Sequence, residues 1–134
     1  MKIEIIKDKE GNPYINEEGN ELVEKKFDST DEFIPIYNNI SEREFTKNDG
    51  GKATDYTLLC MVRNKDTKEE YYNGGENKHF IKLTPTQAER LKKISKEHDI
   101  NQNIFRCYDY KNDKGTFVGV GLKKELKEPI DFVD

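Results

Sequence analysis

Among 134 residues the chain has no tryptophan, two cysteines, two histidines and four prolines, and each scarcity narrows the chemistry open to it. Cys60 and Cys107 each fall inside an apolar, strand-like run, Leu58-Leu59-Cys60-Met61-Val62 and Ile104-Phe105-Arg106-Cys107. They read as two buried free thiols acting as small hydrophobes. His79 and His98 are isolated from each other and from both cysteines, so no ligand set at zinc spacing is visible and no cofactor is expected. No apolar run reaches the ~18 residues that a membrane span needs. Met1-Lys2 leads through Ile3-Glu4-Ile5-Ile6 into a charged run, unlike a secretory leader, and a cytoplasmic protein is expected.

Catalytic signatures are equally sparse. No serine or cysteine stands in a recognisable nucleophile elbow, and two separated histidines leave little for acid–base work. Gly50-Gly51 and Gly74-Gly75 lack the flanks of a phosphate-cradling loop. One pattern, Asp55 with Asp66-Thr67-Lys68, resembles the acidic pair and lysine of metal-dependent nucleases, whose carboxylates hold Mg²⁺ while the lysine polarises water. Asp66 and Lys68 fall in a hairpin turn, where both residue types are common for other reasons. No enzyme is expected.

What the chain has in abundance is charge. Charged residues make up 37% and hydrophobic ones 33%, a lean ratio that leaves part of the chain as exposed arm or loop around one domain. The net charge of −4 is unevenly spread. Residues 1–31 carry −4, residues 32–124 carry +3 and residues 125–134 carry −3, so a mildly basic body lies between two acidic ends.

The first segment, 1–31, reads as an acidic N-terminal arm or a small meander. Ile3, Ile5 and Ile6 suit a short strand, and Glu10-Gly11-Asn12-Pro13-Tyr14-Ile15 is echoed eight residues on by Glu18-Gly19-Asn20-Glu21-Leu22-Val23. From Glu32 the alternation strengthens. Phe33 to Ile40 makes a first strand with Pro35 at an edge or bulge, and Phe33 to Tyr37 would be the surface for a homodimer. Tyr56 to Arg63 is apolar on both faces, as a central strand is. Glu69 to Tyr72 begins a return strand, interrupted by Asn73-Gly74-Gly75-Glu76-Asn77 and resumed over Lys78 to Leu83. There the period changes to helical: Thr84 and Gln87 form a capping box, Pro85 takes the first helical position, and Ala88, Leu91 and Ile94 make an apolar stripe. Ile104 to Tyr110, a turn over Lys111 to Gly115, and Thr116 to Leu122 complete the body. Residues 125–134 read as an acidic C-terminal tail.

The predicted class is therefore mainly β with one helix (α+β). Three strands, a helix and two further strands give the element order of an OB-fold, and residues 32–122 resemble OB-fold single-stranded nucleic-acid-binding proteins in architecture. The resemblance implies a five-stranded Greek-key barrel over residues 32–124, with its helix between strands 3 and 4. Another small β-barrel, or an open antiparallel sheet with one helix packed across it, fits the same strings.

With Ile81, Leu83, Phe105, Cys107, Val118, Val120 and Leu122 turned inward, the alternation points Lys78, Phe80, Lys82, Arg106, Tyr108, Tyr110, Phe117 and Lys123 outward. Cations that track phosphates and flat rings that stack on bases are what holds a single strand. The expected function is thus non-catalytic binding of single-stranded DNA, or RNA, with low sequence specificity. Lys78, Phe80, Lys82, Arg106, Tyr108, Tyr110 and Phe117 would form the face, with Arg63 and Lys52 on its rim. The same rings equally suit a surface covered by residues 1–31. The tail Glu125 to Asp134 is similar to the acidic, hydrophobic-tipped C-termini with which single-stranded DNA-binding proteins recruit replication or repair partners. It lacks their consecutive acidic run and long linker. A competing reading is a protein-binding adaptor or inhibitor, suited to a virus or plasmid accessory protein, whose acidic ends meet a basic partner.

Overall fold

The computed structural model describes residues 1–125. Beyond Glu125 itself, the expected acidic tail lies outside the described residues. The elements run β1 (Lys2–Ile5), β2 (Val23–Lys26), β3 (Asp31–Pro35), β4 (Ser41–Thr46), β5 (Lys52–Asn64), β6 (His79–Leu83), α1 (Pro85–Ser95), β7 (Asn103–Asn112) and β8 (Gly115–Glu125). They form a single mixed sheet of order β1-β2-β6-β5-β3-β7-β8, with β4 beside the first half of β5.

The chain is mainly β with one helix, but the five-stranded barrel expected from the sequence does not form: eight strands make an open sheet. The reason lies in the N-terminal segment. β6 hydrogen-bonds β5 on one side and, through the parallel register Lys25↔Ile81, β2 on the other. Closure would need that second side for β8, which pairs β7 alone among the described residues. Within residues 1–26, β1 and β2 therefore extend the sheet.

Three further expectations are revised. The first predicted strand, Phe33 to Ile40, ends as β3 at Pro35, and a separate strand β4 follows it end to end along β5, with Ile36 N–H donating to Leu59 O at the junction. Phe33 to Tyr37 is not a free edge, because β3 pairs β5 on one side and β7 on the other and Phe33 is fully buried. Glu69 to Tyr72 contributes only an isolated bridge, Arg63↔Glu70.

The inward alternation of β6 and β7 works as patterned. Ile81, Leu83, Phe105 and Cys107 join Phe27, Phe33, Leu58, Cys60, Val62 and Val120 in one core, roofed by Ala88 and Leu91 of the helix. Phe27, Phe33 and Phe105 stack in series at 4.1 and 5.2 Å between ring centroids. His79 is buried beside this core. The Lys25 ammonium donates to its Nδ1 at 3.0 Å, so Nε2 carries the proton and donates to Tyr71 O at 2.9 Å. Burial, aided by the Lys25 charge, holds its pKa below the ordinary imidazole value, and the ring is a neutral structural spacer.

The eight-residue echo in the arm is two copies of one loop. Asp8 Oδ1 accepts from the amides of Glu10 and Asn12, and Asn16 Oδ1 from those of Glu18 and Asn20. Gly11 and Gly19 hold the left-handed position of each, at φ +85° and +83°. Between the loops the backbone closes a ring of three hydrogen bonds: Tyr14 N–H to Ile6 O, Leu22 N–H to Tyr14 O, and Ile6 N–H to Leu22 O. Two small hairpins and the β1–β2 pair thus radiate from one junction.

Helix α1 is fixed at its first turn. Gln87 N–H donates to Thr84 Oγ1 at 3.1 Å, Thr84 N–H donates to Gln87 Oε1 at 3.0 Å, and Gln87 Nε2 reaches Val118 O on β8 at 2.9 Å. One side chain both caps the helix and ties it to the edge strand. Replacing Gln87 by Ala should lower stability by about 1–2 kcal/mol, read as a drop in the urea midpoint at unchanged slope.

Candidate nucleic-acid interface

The two-residue turn after Asn112 sets the register of the last hairpin, and counting outward from Asn112↔Gly115 places Tyr110 opposite Phe117 and Tyr108 opposite Gly119. Alternation turns Tyr108, Tyr110 and Phe117 to the outer face of the sheet. Tyr110 stands 6.3 Å from Tyr108 and 5.7 Å from Phe117, centroid to centroid, so the three rings form one strip. The Tyr108 ring lies flat over the backbone of Gly119, where a Cβ would approach it to 2.6 Å, and also meets Gly121. That contact anchors the ring, yet Tyr108 stays 40% exposed and Phe117 39%. The N-terminal arm does not bury them.

One end of the strip opens on a cationic bowl of about 440 Å³ lined by Lys65, Arg106, Tyr108 and Lys123, with Asp66 on the rim and Glu32 at the floor. Glu32 is 1% exposed. Its Oε1 takes Lys68 Nζ at 3.0 Å and Arg63 Nε at 3.4 Å, and its Oε2 takes Lys123 Nζ. Burial alone would raise this carboxyl's pKa; the hydrogen bonds from Lys123 and Lys68 and the Arg63 charge outweigh it and hold the group below the ordinary value. Lys68 reaches Glu32 from a left-handed backbone position, φ +65°, which few non-glycine residues adopt. Arg63, Lys65, Lys68, Arg106 and Lys123 against Glu32 and Asp66 leave the cluster at +3. Among the described residues neither Lys65 nor Arg106 is held in an ion pair.

At its other end the strip borders a groove of about 560 Å³, lined by Tyr110, Phe117, Lys82, Lys2, Lys26 and the first turn of α1. Here the cations are partly neutralised: Lys82 meets Glu24 at 3.2 Å and Asp55 at 3.8 Å, and Glu4 bridges Lys2 and Lys26. Such exposed pairs are worth about 0–1 kcal/mol and exchange readily for a phosphate. Arg90 flanks the middle of the strip from the helix.

The structure thus brings Arg106, Tyr108, Tyr110 and Phe117 together and adds Lys82 at the border. It separates the rest. Phe80, 69% exposed, and Lys78 share the outer face but belong to a different hollow with Val23 and Leu59. Strands β5 and β3 lie between β6 and β7 in the sheet order. Lys52 is on the β4–β5 ribbon, donating to Thr46 Oγ1, and Arg63 is buried under the bowl. Asp55 and Asp66 lie toward opposite ends of β5 and share no site, which removes the nuclease-like pattern. Glu32, Lys65, Lys68 and Arg90 escape a sequence reading. Lys65 and Lys68 look like solvated turn residues, yet Lys68 reaches Glu32, distant in sequence, and Lys65 reaches Cys107 O.

Comparisons with protein-family models, with characterised proteins and with solved structures find no match to this chain. No helix among the described residues is long and apolar enough to cross a membrane.

Glu32→Gln should cost about 3 kcal/mol near neutral pH, because three cations lose their buried counter-charge. A carboxyl whose pKa is depressed by folding contributes fully above its unfolded value, near 4.5, and ceases to contribute as pH falls through its folded value. The stability gap between wild type and Glu32→Gln should therefore be constant above about pH 5 and close at lower pH, as followed by urea denaturation across that range.

Proposed function

We propose that the protein binds single-stranded DNA or RNA, without catalysis and with low sequence specificity, along the strip Phe117–Tyr110–Tyr108. The observation that carries this reading is the contiguity of two exposed rings, Tyr108 and Phe117, and the partly buried Tyr110 between them, with a +3 cluster at one end and exchangeable lysines at the other. Each ring offers a face to a base at roughly 1–3 kcal/mol, whatever the base. Arg106, Lys65, Lys82 and Arg90 supply charge for the phosphates. Phe80 and Lys78 are outside the strip in this reading. A cytoplasmic location goes with it.

A second reading, a protein-binding adaptor, is favoured by the arm. Tyr14, Ile15, Leu22 and Val23 are all exposed on a segment whose net charge is −4 over residues 1–31. Apolar groups in an acidic surround suit a basic partner surface.

Fluorescence anisotropy with labelled oligothymidylate separates the two. Single-strand binding should weaken linearly in log affinity against log salt, and Phe117→Ala should weaken it roughly tenfold at fixed salt without loss of fold. Wild-type protein with no affinity even at low salt would remove the strip reading and leave the arm as the working surface.

A further inference from the structure

The bowl at the end of the strip differs in kind from a stretch of backbone-tracking groove, and we infer that it is a subsite for a terminal phosphate, a phosphomonoester at one end of the bound strand. This rests on the strip as a single-strand platform and names what that platform prefers.

Three observations support it. First, the charge is concentrated. A phosphodiester brings one negative charge, whereas Lys65, Arg106 and Lys123 of the bowl, with Lys68 and Arg63 on Glu32, stand against Glu32 and Asp66 for a local charge of +3, enough for a dianion. Second, the bowl is terminal. The rings of Tyr110 and Phe117 lie along β7 and β8 on one side of it, and beyond Arg106 the alternation of β7 continues to Ile104, fully buried with Ile34. The Asn64–Thr67 turn places Asp66 on the rim, where its carboxylate repels any onward phosphate.

Third, the cations are held in place. Glu32 fixes Lys68 and Lys123 from beneath, with Lys68 in its left-handed conformation, and Lys65 Nζ leans on Cys107 O at 3.4 Å. Ordered side chains lose little freedom when a ligand arrives, which favours one compact anion over a diffuse polyanion. Tyr108 borders the bowl and would stack on the base nearest the phosphate.

The test uses the full chain and three labelled pentathymidylates, bearing a 5′-phosphate, a 3′-phosphate, or hydroxyls at both ends, compared by anisotropy at one low salt concentration. One of the phosphorylated oligomers should bind about tenfold more tightly than the hydroxyl-ended one, the sign of which end enters the bowl. Lys65→Gln should bring that ratio close to one, and Arg106→Gln, on a different element, provides an independent check should Lys65→Gln not fold. Phe117→Ala should weaken all three oligomers and leave the ratio intact. Equal affinities for the three ends would overturn the terminal subsite while the strip reading stands. A ratio untouched by both bowl variants would overturn its location. Binding of none of the oligomers would overturn the strip reading and the subsite together.

Discussion

A β-strand inside a sheet has two hydrogen-bonding sides, and β6 commits its second side to β2. Much else follows from that allocation. Because β8 finds no partner there, its outer edge faces the first turn of α1, and the gap between them becomes the groove beside Tyr110 and Phe117. The edge is not left bare: Gln87 reaches across to Val118 O and occupies one of its acceptors. An OB-like chain that closed on itself would have no such groove and no role for residues 1–26 in the sheet.

The second organising feature is electrostatic. A carboxylate without partners could not be buried at the position of Glu32, and without it Lys68 and Lys123 would lose the carboxylate they pair with. Their combination converts long, flexible lysines from β8 and the β5–β6 connection into fixed points, at the expense of an unfavourable backbone geometry at Lys68. The stabilising and positioning roles of Glu32 are therefore inseparable. Any variant there alters both the fold and the shape of the cationic surface.

Local chemistry made part of this legible. Thr84, Pro85 and Gln87 announce the helix because a cap is satisfied within one turn, and strict alternation over Lys78 to Leu83 and Ile104 to Tyr110 assigns faces to the rings. The hairpin turn then fixes which ring meets which glycine. What stayed hidden depends on partners remote in sequence. The single parallel register Lys25↔Ile81 carries no local signal, and Val23 to Lys26 is too charged to resemble a sheet strand. Pro35 suggested an edge, yet β7 pairs β3 only at Glu32 and Phe33, so the missing N–H of Pro35 is never asked for and the strand lies in the middle of the sheet. Phe80 and Tyr108 obey the same alternation rule but are kept apart by strand order, which alternation cannot supply.

The β2–β6 pair also orders events in time. Parallel pairing between Lys25 and Ile81 requires the closure of a long loop, a slow step compared with forming the β7–β8 hairpin or the capped helix. During synthesis β2 emerges well before β6, and until β6 arrives the exposed Ile3, Ile5 and Val23 have no sheet to join. The self-contained three-way junction beyond them, closed by its own ring of hydrogen bonds, gives that interval a local structure. The acidic residues scattered through it keep waiting chains from pairing with one another.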